Sequence, residues 1–231
     1  MSVHYTLEGA VAHIQLDDGK ANALSFDLMD ALLEALDRAE AEARALLVSG
    51  RPGRFSAGFD LKVMTAGMDA AIGMLRRGAQ VYTRLYGFPR PVVMACTGHA
   101  VAGGSLLLLT GDRRLGVAGD FKIGLNEVAI QMILPRLGME LARARLNPQR
   151  LTEATLFARL YSPEEAVSVG YLDATVDGEA LMAQAMAEAG ALTKLPRGAF
   201  AGTKTRLREY TLARIADTLE KDFAELAAAM G

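Results

Sequence analysis

The sequence predicts an α/β fold in which the strands of a mainly parallel β-sheet alternate with crossover helices, followed by a helical C-terminal part. In the first half of the chain, short apolar segments typical of strands alternate with longer segments of helical periodicity. This alternation indicates strand–helix–strand units, which place their strands side by side in parallel. The last third carries almost only helical patterns, and 51% of the 231 residues are hydrophobic, enough for a sizeable core.

The first elements follow from local periodicity. Residues 3–7 and 10–16 alternate apolar and polar side chains around Glu8-Gly9, which predicts a hairpin. A helix is predicted over residues 25–44, because apolar side chains recur three and four positions apart and Ser25 is a suitable N-cap. Residues 45–49 are then predicted to form a short buried strand.

The remaining elements are predicted from the same two periodicities. Further strands are expected at residues 92–97, 114–118 and 121–123, and further helices at residues 70–86, 105–110, 137–146, 151–158, 163–169, 178–189 and 210–230. Pro196 and two glycines interrupt the helical pattern within residues 193–202. We therefore divide the chain into a core domain, residues 1–190, and a C-terminal helical region, residues 191–231.

Composition excludes several classes of function. The net charge is −2 without a basic stripe, so nucleic acid is not an expected partner. The single cysteine, Cys96, excludes an internal disulfide and is predicted to be an inert core thiol. The N-terminus lacks the pattern of a signal peptide, and the longest apolar run, residues 101–109, is too short to span a bilayer. We expect a cytoplasmic protein with no membrane partner and, because it has only three histidines, no metal site.

Residues 55–61, Phe-Ser-Ala-Gly-Phe-Asp-Leu, form a turn of small residues after a predicted buried strand. Backbone N–H groups in such a turn can approach a ligand carbonyl and stabilise negative charge on its oxygen. Small residues are also common in ordinary tight turns, so this pattern alone leaves both interpretations open.

A second turn of small residues, Gly98 to Ser105, leads from a strand into an apolar helix. The helix N-terminus offers unpaired N–H groups and partial positive charge, which favour an anionic oxygen. Alternatively, the glycines only permit close packing of strand and helix. The segment lacks the dinucleotide-binding and P-loop patterns, and His99 within it is not expected to be catalytic.

Glu127 is the one acid within the apolar segment of residues 123–130. It lies either on the exposed side of a half-buried element or in a dry pocket. A dry pocket would raise the pKa of its carboxyl group and suit it to take up and return protons near neutral pH.

In their order and spacing, these three segments resemble the crotonase (enoyl-CoA hydratase/isomerase) superfamily. The resemblance covers residues 3–190, and Ile-Gly-Leu-Asn-Glu at 123–127 is most similar to the Δ3,Δ2-enoyl-CoA isomerases. It implies a ClpP/crotonase-like spiral of ββα units with a helical C-terminal region, assembled as a homotrimer or a dimer of trimers. It also implies an acyl-CoA thioester, a small molecule, as substrate and no permanently bound cofactor.

The resemblance also implies residue roles. The backbone N–H groups of Ala57 and Gly103 would hold the thioester oxygen, and Glu127 would carry the proton. Contacts with coenzyme A or the substrate are implied for Lys20, Ala23, Ala57, Gly58, Phe59, Asp60, Leu61, Gly103 and Asn126. Lys204 and Arg206 could approach the phosphates, although solvated surface is the favoured interpretation of both. Asp60 and Asp112 are expected to have structural roles.

One position departs from the two-glutamate hydratases of this superfamily. Their second acid follows the second donor by three positions, and here that position is Leu106, which we place in the acyl pocket. Hydration uses two carboxylates, whereas moving a double bond from C3–C4 to C2–C3 requires one base. The sequence therefore favours an isomerase, with a hydratase that uses one acid and a catalytically silent acyl-CoA-binding subunit as alternatives.

Overall fold

The computed structural model describes residues 2–230, and within that range the chain forms eleven strands and nine α-helices. The strands are β1 Val3–Glu8, β2 Val11–Leu16, β3 Ala23–Leu24, β4 Ala45–Ser49, β5 Gly53–Ser56, β6 Gly58–Phe59, β7 Val92–Cys96, β8 Gly98–Val101, β9 Arg113–Val117, β10 Ile123–Gly124 and β11 Ala174–Val176. The helices are α1 Phe26–Glu42, α2 Leu61–Met64, α3 Met68–Tyr86, α4 Gly103–Leu109, α5 Arg136–Arg145, α6 Leu151–Thr155, α7 Pro163–Val169, α8 Leu181–Leu192 and α9 Arg197–Met230.

A six-stranded sheet forms the centre of the molecule, in the order β1-β2-β4-β7-β9-β11. The β1–β2 hairpin is antiparallel, and every other pair in this sheet is parallel. All five residues of β4 are buried, as are all five of β7. Burial on both faces is typical of parallel strands covered by helices on each side, and the predicted mainly parallel sheet is confirmed.

Two smaller sheets lie beside the large one. One has the order β10-β8-β5, the other pairs β3 with β6, and both are parallel. Along the chain, a strand of the large sheet is repeatedly followed by a strand of a small sheet and then by a helix, as in β7–β8–α4 and β9–β10–α5. This repetition is the spiral of ββα units that the resemblance implied.

Helix α1 shows how the local sequence defines an element. Ser25 is its N-cap, and the Ser25 hydroxyl accepts a hydrogen bond of 3.2 Å from the Leu28 N–H, as predicted. The buried face of the helix packs into the main core, and its members are Leu28, Met29, Leu32, Ala35, Leu36 and Ala39.

Helix α9 begins at Arg197, 13 positions before the predicted start at 210, and contains Gly198 and Gly202. It packs on α3 and α5 and contributes Ile215, Phe223 and Leu226 to the main core. The division of the chain at residue 190 stays a prediction.

The expectation that Lys204 is solvated surface is wrong. Its side chain is buried, with its Nζ atom 2.6 Å from Oδ2 of Asp112. Arg208, one turn further along α9, donates to Oδ1 of Asp112 at 2.6 Å. Asp112 therefore has a structural ionic role, with partners from α9 rather than its neighbours in sequence. Arg206 is exposed.

Within residues 2–230, no helix combines the length and apolar content needed to cross a membrane. The same part of the chain has no group of three or more His, Cys, Asp or Glu side chains placed to hold a metal ion. The Cys96 thiol is buried in the core, where burial raises its pKa to about 12 and keeps it protonated.

Candidate active site

One apolar cavity of about 220 Å³ brings together the three segments singled out in the sequence. Its lining includes Ala57, Phe59 and Leu61 from the first segment, Gly103 from the second, Leu106 from the helix that follows it, and Asn126 and Glu127 from the third. Lys20, Ala23, Gly58 and Asp60 do not line it. The segments arrive from successive ββα units, through β5–β6, β8 and β10.

Two glycines allow the first two segments to approach each other. A Cβ atom at Gly104 would lie 2.2 Å from the carbonyl oxygen of Ser56, so a side chain there would force α4 away from β5. Gly58 has φ +85°, and a Cβ atom there would lie 3.0 Å from the backbone nitrogen of Gly103. Both positions therefore require glycine for the close packing that forms the cavity wall.

The Gly103 N–H fits its expected role. Gly103 is the first residue of α4, so its N–H has no partner within the helix. Among residues 2–230, no other backbone carbonyl or side chain accepts a hydrogen bond from it. The preceding residue, Ala102, has φ 50° and ψ −127°, which is unusual for a residue with a side chain and turns the chain sharply into the helix.

The assignment of the first donor to Ala57 does not agree with the structure. The Ala57 N–H donates a hydrogen bond of 3.0 Å to the Ala21 carbonyl, so it is not free for a ligand. The Gly58 N–H donates to Oγ of Ser56, and the Asp60 N–H donates to the Leu24 carbonyl on β3. Successive N–H groups of an extended strand point to opposite edges, so we infer that the Phe59 N–H faces the edge opposite to β3.

Glu127 lies in a dry environment. It follows β10, its side chain is 6% exposed, and its Oε2 atom has no hydrogen-bond partner within residues 2–230. Burial raises the pKa of its carboxyl group to about 7, against the opposing effect of hydrogen bonds from the Glu127 and Asn126 backbone. It is the only ionisable one of the described residues that line the cavity.

The rest of the cavity wall is almost entirely apolar. Leu106, at the position of the missing second acid, is 2% exposed and lies one turn after Gly103 on α4. Asn126 is the other polar lining residue, and its buried Oδ1 atom also lacks a partner among the described residues. A ligand in this cavity would meet one carboxyl group, one amide group and otherwise hydrocarbon.

Tyr82 on α3 is a residue that the sequence interpretation missed. Its buried hydroxyl donates a hydrogen bond of 2.9 Å to the Gly103 carbonyl, and its ring contacts the Phe59 ring edge-on. Burial, with the nearby Glu127 carboxylate as a lesser cause, raises the pKa of this phenol well above its usual value. Tyr82 thus supports both the Phe59 and the Gly103 positions, yet in the sequence it is only another apolar position of a helix.

The loop before α1 supplies the Ala21 carbonyl that accepts the Ala57 N–H, and a carboxylate within the loop stabilises it. The Asp18 carboxylate accepts hydrogen bonds from the N–H groups of Lys20, Asn22 and Ala23, and these bonds lower its pKa although burial opposes them. The Lys20 side chain is exposed.

Asp60 caps α2 by accepting from the Lys62 N–H at 2.9 Å, in agreement with its expected structural role.

His99 is placed away from this chemistry. Its Nδ1 atom accepts a hydrogen bond of 3.0 Å from the Lys122 N–H, and its ring packs edge-on against Phe121. It does not line the cavity of Glu127.

Comparison with known proteins gives a consistent result. The model of the enoyl-CoA hydratase/isomerase family matches residues 6–226. A crystal structure of an enoyl-CoA hydratase/isomerase family protein from Pseudomonas syringae superposes with a TM-score of 0.95 at 41% identity, over 97% of this chain and 98% of that one. Human mitochondrial Δ3-Δ2-enoyl-CoA isomerase superposes with a TM-score of 0.95 at 26% identity, over 100% and 92% of the two chains.

The names of the relatives include both reactions. Human mitochondrial enoyl-CoA delta isomerase 1 is 29% identical over 92% of this chain and 72% of its own length. A putative enoyl-CoA hydratase from Thermus thermophilus is 33% identical over 78% of this chain and 74% of its own length.

Proposed function

Because this chain belongs to the enoyl-CoA hydratase/isomerase family, we propose that it converts 3-enoyl-CoA to 2-enoyl-CoA thioesters with Glu127 as the proton shuttle. The observation that carries this proposal is the lone carboxyl group in the cavity, buried and with a pKa of about 7. Near neutral pH such a group both takes up and returns a proton readily.

The reaction needs only one proton carrier. The Glu127 carboxylate removes a proton from C2, and the electron pair of that C–H bond delocalises over the thioester and the C3–C4 double bond. The resulting dienolate carries its negative charge largely on the thioester oxygen. Protonated Glu127 then returns the proton to C4, which leaves the double bond between C2 and C3 and the carboxylate ready for another turnover.

We assign the thioester oxygen to the backbone N–H groups of Phe59 and Gly103. Phe59 replaces Ala57 because the Ala57 N–H is occupied by the Ala21 carbonyl. Fixed donors in a dry site stabilise the charge that develops on this oxygen, and each such donor typically contributes about 10²–10³ in rate. Asn126, with its free Oδ1 atom on the cavity wall, is assigned a contact with the substrate.

Leu106 supports isomerisation over hydration. Hydration requires a water molecule positioned at C3, and here an apolar side chain takes the place of the acid that would hold it. Exclusion of water also protects the dienolate and strengthens its interactions with the two N–H donors. Because several relatives are named hydratases, the alternative is hydration with Glu127 as the only acid, and the experiment must distinguish it from isomerisation.

The test is to incubate the protein separately with 3-hexenoyl-CoA and crotonyl-CoA and to identify the products by chromatography. We expect 2-hexenoyl-CoA from the first and little 3-hydroxybutanoyl-CoA from the second. Glu127→Gln should lower kcat for the isomerisation by at least about 10³, because it removes the base and keeps the shape. The matched control is Glu164→Gln, at an exposed acid on α7, which should retain wild-type activity.

The outcomes separate the three hypotheses. Faster turnover of crotonyl-CoA than of 3-hexenoyl-CoA would favour the hydratase. Binding of both thioesters without turnover would favour the silent acyl-CoA-binding subunit.

Three broader proposals follow, the first from the composition and the other two from the resemblance. We propose that the protein is cytoplasmic, that Lys20 and Ala23 contact coenzyme A, and that the protein assembles as a homotrimer or a dimer of trimers. Analytical ultracentrifugation tests the assembly, and a monomer would contradict that proposal.

A further inference from the structure

The cavity of Glu127 adjoins a second apolar space of about 360 Å³. The two spaces share the side chains of Leu61, Met64, Leu75, Ile130, Met132 and Pro135. They therefore lie side by side, and we treat them as one channel, with Glu127 and Gly103 lining only its inner part. We call the second space the outer chamber.

Among the described residues, none of those that line the outer chamber is charged. Apart from the shared residues it is lined by Thr65, Gln131, Ile133 and Leu226. Ile133 is 60% exposed and Leu61 is 61% exposed, so both hold large apolar side chains at its opening to solvent. An apolar ligand that covered them would remove hydrocarbon surface from water, which favours binding.

Helix α9 closes the far side of the outer chamber and is fixed there. Leu226 is 6% exposed. In the preceding turn, the Asp222 carboxylate accepts a hydrogen bond of 2.7 Å from the Arg136 N–H at the start of α5, and Glu220 pairs with Arg76 of α3. These contacts attach α9 to α5 and α3. Pro135 at the start of α5 and Leu75 on α3 also line the chamber, so this wall is part of the packed structure.

From the channel and its walls, we propose that the outer chamber binds the distal acyl chain of the substrate and that the protein prefers acyl groups of about eight carbons or longer. At roughly 30 Å³ for a group the size of water or a methylene, the outer chamber accommodates about ten such groups beyond the reacting carbons. An acyl group of four carbons would leave it empty. The choice of occupant rests on the proposed function, because the chamber adjoins the site assigned to the thioester.

The test measures the affinity of saturated acyl-CoAs by isothermal titration calorimetry, with hexanoyl-, octanoyl- and dodecanoyl-CoA below their micelle-forming concentrations. Saturated thioesters do not react, so the result does not depend on the reaction catalysed. Each buried methylene contributes up to roughly fourfold in affinity, and we expect Kd to fall by at least about tenfold from hexanoyl- to dodecanoyl-CoA. Equal Kd values for these two ligands would overturn the inference, as would a channel filled by a side chain of a partner subunit.

A pair of variants locates the effect. Ile133→Trp should fill the outer chamber and raise Kd for dodecanoyl-CoA by at least about tenfold, while hexanoyl-CoA binds as before. The matched control is Leu156→Trp, at a side chain that is also 60% exposed but does not line the channel, and both Kd values should stay unchanged. If wild type isomerises 3-hexenoyl-CoA but shows no dependence on chain length, the inference fails and the proposed function stands. If affinity depends on chain length but no enoyl-CoA turns over, the proposed function fails and the inference about the outer chamber stands.

Discussion

A buried carboxyl group such as that of Glu127 couples activity to stability. Its Oε2 atom has no partner among the described residues, and burial raises its pKa from 4.5 to about 7. In the unfolded chain the carboxyl group has its ordinary, lower pKa. Between the two values the folded protein binds more protons than the unfolded one, so stability falls as the pH rises through this range.

The first prediction concerns this pH range. Relative to Glu127→Gln, the wild type should lose stability between about pH 4.5 and pH 7, and the total loss should reach about 3 kcal/mol above pH 8. The kcat/KM of the wild type should rise with pH up to about pH 7 and level off above it, because the base must be deprotonated. Urea unfolding of both proteins from pH 5 to pH 8.5 measures the first effect, and initial rates measure the second. A constant difference in stability across this range would contradict the raised pKa.

At the scale of single residues, two outcomes could not be predicted from the sequence: the identity of the first backbone donor and the burial of Lys204. The motif located the first donor segment, but which of its N–H groups is available depends on residues 21–24, because the carbonyl oxygens of Ala21 and Leu24 accept the N–H groups of Ala57 and Asp60. Lys204 is buried because it pairs with Asp112, which lies 92 positions away in sequence but next to it in space. Both outcomes depend on long-range contacts, which periodicity does not encode.

Among the elements, the contact between α4 and β5 sets the geometry of the site. At Gly104 the helix backbone lies directly against Ser56, so α4 has no room to carry a side chain there. This close approach holds the Gly103 N–H beside the first donor segment.

The second prediction concerns this contact. Gly104→Ala should lower stability by at least about 2 kcal/mol, because the new methyl group would overlap the Ser56 carbonyl. A displacement of α4 by about 1 Å should also lower kcat/KM by roughly 10². The control is Gly202→Ala within α9, where no neighbouring atom lies within 4 Å of the position that a Cβ would take. There the gain in helix propensity should stabilise the protein by up to about 1 kcal/mol. Urea unfolding and initial rates check both variants, and a fully active Gly104→Ala would show that the contact is dispensable.

Elements with clear periodicity were predicted correctly, whereas the shortest ones were not. The β1–β2 hairpin, α1, β4 and α7 lie where their apolar spacing and caps placed them. The strands β3 and β6 have two residues each, too few to show alternation. At the start of α9, Gly198 and Gly202 indicated a loop, but tertiary contacts of the helix outweigh their low helix propensity.

At the scale of the whole molecule, α9 connects parts of the chain that the spiral of ββα units leaves apart. Its residue Leu226 lines the outer chamber, and its first half contributes Lys204 and Arg208 as partners of Asp112. The Asp112 carboxylate also accepts a hydrogen bond of 2.8 Å from the Val92 N–H, at the start of a central strand. One carboxylate thus joins α9 to the middle of the large sheet.

The third prediction is that Asp112→Asn destabilises the whole molecule by about 3–5 kcal/mol, because it leaves two buried cations without their counter-charge. Lys204→Met should cost less than half as much, since burial already lowers the pKa of this ammonium group to about 8 and Arg208 remains paired with Asp112. The double variant should then lose less stability than the sum of the two single losses, because one of the unpaired cations is gone. Urea midpoints of the four proteins measure this cycle. Additive losses, or an Asp112→Asn variant as stable as the wild type, would show that the attachment of α9 depends on apolar packing rather than on this ionic contact.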